Sequence, residues 1–229
     1  MKRNQSGFTL IEIAIVLVII GLLLGGVLKG QELINSAKVK NLATDFRNVP
    51  VFIYGYQDKY KALPGDDLNL ASHLGASATP CTTTGTVGQC MIGSGIIDGL
   101  WNANSATSES FVFWQHIRMA GFGPGSIIAD LTLSPDYLPT NAVGGKIGVT
   151  NAAQAPIIGM KGTYIVCSDS IPGKFAKQLD ITLDDGNTTT GSLMVTTAGT
   201  SGATPAAALP MTGVGAIVDD TPYLVCMGY

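Results

Sequence analysis

The amino-terminal part of the chain contains an apolar run, residues 8–28, in which Glu12 is the only charged residue. At about 1.5 Å of rise per residue, a helix of this length spans roughly 30 Å, the hydrocarbon thickness of a bilayer. The run is longer than the apolar core of a secretory signal peptide, and no small-residue cleavage site follows it. The sequence therefore predicts a transmembrane helix over residues 8–28 that stays in the working protein.

The orientation of this helix follows from the charges that flank it. Lys2 and Arg3 precede the run and favour a cytoplasmic amino terminus. Lys29, Lys38 and Lys40 follow it, and they weaken that argument.

The residues at the start of the run resemble the type IV prepilin family, which includes type IV pilins and the pseudopilins of type II secretion. A short basic leader, residues 1–7, ends in Gly7, and Phe8-Thr9-Leu10-Ile11-Glu12 opens the apolar run. The resemblance covers residues 1 to about 60. It implies that a prepilin peptidase cuts between Gly7 and Phe8 and that the new Phe8 amine is N-methylated.

Glu12 has two interpretations. A carboxylate at the centre of a membrane helix costs about 2.5–3.5 kcal/mol, and less near an end, so it needs a partner or access to the headgroups. In a filament, Glu12 of one subunit would pair with the Phe8 amine of a neighbour and fix the register of the subunits. In a simple anchor, Glu12 would reach the headgroup region. The Gly7–Phe8 junction favours the filament.

The helix is predicted to continue beyond the membrane as an amphipathic extension, residues 29–62. Apolar residues recur there at intervals of three and four, which is the spacing of one helical face. The stripe keeps its register across Pro50, so we expect one kinked helix rather than two. The residues of the stripe are Leu42, Phe46, Val49, Ile53, Tyr56 and Tyr60. Four glycines, Gly21, Gly25, Gly26 and Gly30, suit either close helix packing or local unwinding.

Residues 63–229 are predicted to form a globular domain outside the cytoplasm. Leu63-Pro64-Gly65-Asp66-Asp67 ends the long helix, and residues 69–104 are predicted to form a loop. A short helix begins at Thr107-Ser108 and stops at Gly121. Four strands are predicted at residues 164–167, 179–183, 192–196 and 223–227. Ser170-Ile171-Pro172 is predicted to cap a short helix that runs to Gln178, and residues 141–159 and 198–215 are predicted to be exposed loops. The expected fold class is α+β and pilin-like: a long amino-terminal helix packed on a carboxy-terminal antiparallel sheet.

Four cysteines are predicted to form two disulfides, because an exported domain lies in an oxidising compartment. We expect Cys81 to pair with Cys90, closing a short loop, and Cys167 with Cys226, tying the end of the chain to a central strand. Similar pilins tie their carboxy-terminal region by a disulfide, which supports the second pair more than the first.

Metal and catalytic sites are weakly indicated. Asp180, Asp184, Asp185 and Asn187 offer oxygen ligands beside Gly186, which suits calcium, but a hairpin turn explains this segment better. Calcium-binding pseudopilins exist, and their motif is not matched. Trp114 and His116 are interpreted as packing residues, and neither His73 nor His116 has a zinc-like spacing to the cysteines. No cofactor motif, nucleophile motif or phosphate loop is present, so we expect no enzyme activity.

The predicted function is that of a structural subunit of a type IV pilus or a type II secretion pseudopilus. The expected partners are the prepilin peptidase, the inner-membrane assembly machinery, the membrane and other pilin subunits. The subunit would lie in the bacterial inner membrane before assembly and in a periplasmic or extracellular filament afterwards. A minor pilin acting as a tip adhesin is the alternative, because 222 residues after cleavage is long for a major pilin. Nucleic acid is not expected: without Lys2 and Arg3, 11 basic residues stand against 16 acidic ones, a net charge of −5.

Overall fold

The computed structural model describes residues 9–81, 88 and 90–229, which form helices at the amino-terminal side and an antiparallel sheet at the carboxy-terminal side. The helices are α1 (Leu10–Tyr60), α2 (Leu70–Leu74), α3 (Glu109–Met119) and α4 (Gly173–Leu183). The strands are β1 (Ile147–Thr150), β2 (Ile165–Pro172), β3 (Leu193–Thr197) and β4 (Pro222–Gly228), in the order β1-β2-β4-β3. All neighbouring strands are antiparallel. The predicted α+β class is confirmed.

The chain divides into two compact units, one ending at Lys38 and the other running from Val39 to Tyr229. In the first unit, α1 is the one described helix that is long and apolar enough to cross a membrane. Its apolar side chains are exposed from Leu10 to Leu28.

In the second unit, the remainder of α1 contributes one face to the core. The helix is continuous through Pro50, and the predicted stripe is buried from Leu42 to Tyr56, whereas Tyr60 is partly buried. These side chains share a core with α3, α4 and one face of the sheet. The helix ends at Tyr60, just before Lys61, which has a positive φ of 54°.

Both faces of the sheet are covered. Successive residues along its central strands point to opposite faces and pack into two different hydrophobic clusters. In β4, Tyr223 and Val225 face the helices, whereas Leu224 and Cys226 face a smaller cluster. That cluster contains Trp101, Ile157 and Met160 from the loops. This alternation is the period of two expected of a β-strand.

The structure pairs the cysteines within this framework. Cys167 and Cys226 are bonded and lie directly opposite each other on β2 and β4, with Cα atoms 4.1 Å apart. This separation is typical of a non-hydrogen-bonded antiparallel pair. Cys81 is bonded to Cys90 across a separation of nine residues. The residues enclosed by this second bridge are described only at position 88.

Three sequence predictions for the carboxy-terminal half are wrong. Residues 179–183 form no strand, because the helix predicted to end at Gln178 continues as α4 to Leu183. Residues 141–159 are not simply an exposed loop, since all four residues of β1 are buried within them. Ser170 and Ile171 belong to β2 rather than to a helix start, with a register shift between Ser168 and Ile171.

Two helical predictions also change in detail. The segment 69–104 contains the short helix α2 as well as loop. Helix α3 lies at its predicted place, but it is buried on all sides from Glu109 to Arg118 rather than on one apolar face. The Arg118 guanidinium accordingly donates to three backbone carbonyls, those of Pro124, Ser126 and Tyr137, at 2.7–2.9 Å.

Candidate functional site

The exposed apolar surface of α1 is the first component of the candidate site. Leu10 is 93% exposed, and the large apolar side chains from Ile11 to Leu28 are between about half and three-quarters exposed. An exposed apolar surface of this extent must be covered by lipid or by protein, because soluble monomers rarely present such a patch to water. The four glycines of this region are helical, and a Cβ added to any of them would meet nothing within 4 Å.

Glu12 occupies the third position of this helix and caps its first turn. Its Oε2 accepts hydrogen bonds from Thr9 N at 2.8 Å and from Thr9 Oγ1 at 2.7 Å. The Glu12 amide donates in return to Thr9 Oγ1 at 3.3 Å, which makes the pair a capping box. The Thr-x-x-Glu spacing is visible in the sequence and is the signature of a capping box, which the sequence analysis of Glu12 did not use.

The capping box leaves half of the carboxylate available. Within the described part of the chain, Glu12 Oε1 accepts no hydrogen bond, and Glu12 is exposed. Gly7 and Phe8, the predicted cleavage and methylation residues, lie outside the described residues. The described geometry therefore shows a half-satisfied carboxylate at Glu12, four residues along the sequence from the predicted new amino terminus, Phe8.

Comparison with known proteins bears on this amino-terminal segment. Residues 2–28 match a family model described as the prokaryotic N-terminal methylation motif. No curated protein and no solved structure matches the chain at a significant level. The match covers the leader, the Gly7–Phe8 junction and the apolar run.

The amino-terminal segment is that of a type IV prepilin-like protein. The motif supports a precursor of the type IV pilin or pseudopilin type, and it implies processing by a prepilin peptidase and assembly with other pilins. The motif and the exposed apolar helix both fit membrane anchoring.

In the globular part of this prepilin-like protein, buried carboxylates organise the loops around α3. Asp66 accepts backbone N–H groups from Gly93, Ser94 and Gly95. Glu109, at the start of α3, accepts from Met91 N at 2.7 Å and from Asp98 N at 2.8 Å. These two side chains hold the segment that follows Cys90, which has little regular structure of its own.

Burial governs the ionisation of Glu109. The side chain is fully buried, and desolvation raises its pKa to about 7, opposed by the two backbone hydrogen bonds and assisted by the nearby charges of Asp66 and Asp98. In the sequence, Glu109 is only an acid in the first turn of the predicted short helix. Its role in ordering residues 91–98 depends on tertiary contacts that no local pattern encodes.

The two histidines are engaged with the protein itself. His116 Nδ1 accepts from Gly65 N at 2.9 Å, and Nε2 donates to the Thr79 carbonyl at 3.0 Å, which fixes a neutral tautomer. Burial lowers the His116 pKa. His73 lies 2.7 Å from Asp67 and stacks on Tyr60. Gly65 has a φ of +96°, and a Cβ there would lie 2.7 Å from the Glu109 carbonyl oxygen, so the turn requires glycine.

A cavity of about 560 Å³ lies beside these residues, lined in part by Tyr60, Asp66, Asp67 and His73. Its carboxylates already accept hydrogen bonds from the protein, since Asp67 binds Tyr56 Oη at 2.8 Å and Asn69 N at 2.8 Å. The polar groups of the cavity therefore stabilise the end of α1 and the following turn.

The four residues that the sequence offered as a weak calcium candidate are brought together only in part. Asp180, Asp184 and Asp185 each present a carboxylate oxygen within 4.8 Å of the others. Asn187 is occupied elsewhere, because its Oδ1 accepts from the hydroxyl group of Thr189 at 2.8 Å. The segment is not the predicted hairpin turn, since it joins the end of helix α4 to β3.

Proposed function

We propose that this prepilin-like protein is a filament subunit whose apolar α1 surface is covered first by lipid and then by neighbouring subunits. The observation that carries the proposal is that the apolar segment Leu10 to Leu28 of α1 is exposed and contains a single carboxylate, Glu12, near its start. Lipid alone can cover the apolar side chains, but it offers no fixed partner for Glu12.

In the proposed filament, the partner of Glu12 is the amine that cleavage between Gly7 and Phe8 creates on a neighbouring subunit. The Thr9 cap occupies one carboxylate oxygen and leaves the other for this amine. The pair would lie in a low-dielectric core, where removing one partner of a buried ion pair typically costs about 3–5 kcal/mol. Each subunit contact would carry this term, so Glu12 would set the register of the assembly.

The test is the Glu12→Gln variant, which keeps the size of the side chain and removes its charge. We expect insertion and cleavage to persist and the ratio of sheared filament to membrane-bound subunit to collapse. Mass spectrometry of the amino terminus verifies cleavage at Phe8. The Gly7→Val variant should remain as the uncleaved precursor, so it shows the result expected when processing, rather than assembly, is blocked. An unchanged filament ratio for Glu12→Gln would contradict the pairing role.

Two matched variants separate pairing from other causes. Glu32→Gln makes the same change in the same helix at an exposed acid paired with Lys29, and it should assemble normally. Thr9→Val removes the hydroxyl cap and keeps the Glu12 charge, at a cost of about 0.5–2 kcal/mol in helix stability. If Thr9→Val abolished filaments as fully as Glu12→Gln, loss of the cap would explain the defect instead.

A minor subunit at the filament tip is the second candidate function. The length of the globular part favours it, as do the exposed apolar residues Ile127, Ile128 and Leu133, which lie within one loop of that part. Counting copies of this chain per unit length of purified filament distinguishes the two roles. Because a minor subunit is diluted among intact neighbours, the Glu12→Gln assay belongs where this chain is the dominant subunit.

A further inference from the structure

Asp180 is an unusual residue for the interior of a domain. It lies on α4, its side chain is fully buried, and neither carboxylate oxygen has a hydrogen-bond partner in the described part of the chain. Buried carboxylates are normally paired, hydrogen-bonded or bound to a metal, because an isolated charge is costly in a low-dielectric interior. The fold therefore retains a buried carboxylate that has no hydrogen-bond partner among the described residues.

The neighbours of Asp180 make the charge more costly. Asp184 and Asp185 follow four and five residues later, just beyond the end of α4, and place their oxygens within 4.8 Å of it. Because Asp180 is buried, the nearby charges of Asp184 and Asp185 are unfavourable unless a cation offsets them. The ion pairs formed by α4 are made by Lys174 with Asp220 and by Lys177 with Asp219, so these lysines are committed to other acids.

Asp184 and Asp185 are also held in place by the backbone around them. Asp184 Oδ2 accepts from Leu193 N at 2.8 Å, at the start of β3. Asp185 Oδ1 accepts from Asn187 N at 2.8 Å, and its Oδ2 accepts from Thr190 Oγ1 at 2.9 Å. Each carboxylate is thereby oriented while retaining lone pairs for a further ligand, as ligating carboxylates in metal sites usually are.

We propose that Asp180, Asp184 and Asp185 bind one calcium ion at the carboxy-terminal end of α4. The donor set is made of carboxylate oxygens, which suit hard cations rather than zinc or copper. Oxygens within 4.8 Å of one another fit around an ion with metal–oxygen distances of about 2.3–2.6 Å. Calcium accepts irregular geometry and completes its shell with water, whereas magnesium requires a near-ideal octahedron.

The position explains what the ion does. A cation at the end of α4 neutralises the charge of Asp180 and also interacts favourably with the negative end of the helix dipole. Because Asp184 holds the first residue of β3, the ion joins the end of the helix to the beginning of the strand. Calcium therefore orders the connection between α4 and β3, independently of how α1 assembles.

The experiment uses the full chain in detergent micelles, freed of metal with a chelator. Calcium chloride is titrated while the ionic strength is held constant with sodium chloride, and the thermal midpoint and direct binding are measured. We expect one calcium ion per chain, a rise in the midpoint, and slower amide hydrogen exchange at residues 180–193. Magnesium at the same concentrations should give a smaller shift.

Three variants make the result specific. Asp180→Asn and Asp184→Asn should lose the calcium-dependent shift, and Asp180→Asn should unfold no earlier than the metal-free wild-type chain, because it removes an unpaired buried charge. Asp136→Asn, an exposed acid outside the cluster, should keep the full shift. A wild-type chain without a calcium shift would overturn the site, as would a shift that survives in both cluster variants. An equal shift with magnesium would overturn the assignment to calcium.

Discussion

Glu109 shows how a single buried acid can order a long irregular segment. Its two carboxylate oxygens each accept one backbone N–H from the residues that follow Cys90, at Met91 and Asp98. Asp98 in turn accepts from the side-chain amide of Asn151 at 2.9 Å. The segment is thus fixed by side-chain acceptors, in place of the backbone ladders that order helices and strands.

The raised pKa of Glu109 predicts how stability changes with pH. In the folded chain the pKa is about 7, against 4.5 for the unperturbed group. Between these values the folded state holds a proton that the unfolded state has lost, so the free energy of unfolding falls as pH rises from about 4.5 to 7. Below about pH 4.5 Glu109 is protonated in both the folded and the unfolded state, so its ionisation does not lower the free energy of unfolding there. At full ionisation the penalty is on the order of 3 kcal/mol.

Glu109→Gln should therefore reduce the slope of stability against pH in this range, because glutamine does not ionise. Asp45, whose pKa is raised to about 6 by burial, should keep part of the slope. The measurement is urea unfolding of the full chain in detergent at several values between pH 4.5 and 7.5. Glu32→Gln, the same change at an exposed position, should retain the wild-type slope. A slope that is identical in wild type and Glu109→Gln would show that other acids account for the pH dependence.

At the scale of elements, α4 illustrates how a short pattern can mislead. Leu179, Ile181 and Leu183 alternate with polar residues, which is typical of a strand. In the structure they lie on a helix, because Phe175, Ala176 and Leu179 recur at helical spacing and are buried together. Ile181 is 66% exposed. The two periods overlap over five residues, and packing against the sheet decides between them.

A pair of truncations tests the helical assignment. In a strand, Leu179 and Ile181 would face the same side, and both would be costly to shorten. On α4, Leu179→Ala should cost about 2–5 kcal/mol, because Leu179 is fully buried, whereas the exposed Ile181→Ala should cost less than about 1 kcal/mol. Denaturant unfolding of the two variants measures the difference. Similar losses for both would favour the strand.

At the scale of the whole molecule, the sheet order gives the end of the chain a central place. β4 lies between β2 and β3, although it is the last strand in sequence. Tyr229 also donates its hydroxyl group to the Phe46 carbonyl oxygen of α1 at 2.7 Å. The carboxy-terminal strand therefore links the sheet to the buried part of α1, and the Cys167–Cys226 bridge lies within this central pair of strands.

Removing the two disulfides should have unequal effects. On the loop-entropy model, the bridge across 59 residues contributes about 4 kcal/mol and the bridge across nine residues about 3 kcal/mol. A Cys167→Ala/Cys226→Ala variant should therefore unfold at lower denaturant than a Cys81→Ala/Cys90→Ala variant. Peptide mapping without reductant checks the pairing first. A crossed Cys90–Cys167 link, or free thiols, would contradict it.

The sequence by itself determined the long amino-terminal helix and the motif at its start. In lipid, a single apolar segment can form all its backbone hydrogen bonds internally only as a helix. The apolar run of residues 8–28 therefore predicts a helix with few structural alternatives. The stripe from Leu42 to Tyr56 likewise has a single period over several turns, long enough for periodicity to decide. The Gly7–Phe8 junction and Glu12 carry the prepilin resemblance, because they lie in one contiguous motif.

Only the tertiary structure decided the rest. β1 and α4 are short elements whose local patterns are ambiguous, and packing on the sheet selects their conformation. The backbone partners of Asp66 and Glu109 lie 11 to 29 residues away along the chain. The raised pKa of Glu109 also depends on a desolvated position within the core. In the sequence, Asp180 lies beside a predicted turn. In the structure α4 extends to Leu183, so Asp180 is buried on the helix, and its carboxylate has no hydrogen-bond partner among the described residues. Such long-range contacts leave no periodic signal in the chain, because burial and charge pairing are fixed by the assembled core.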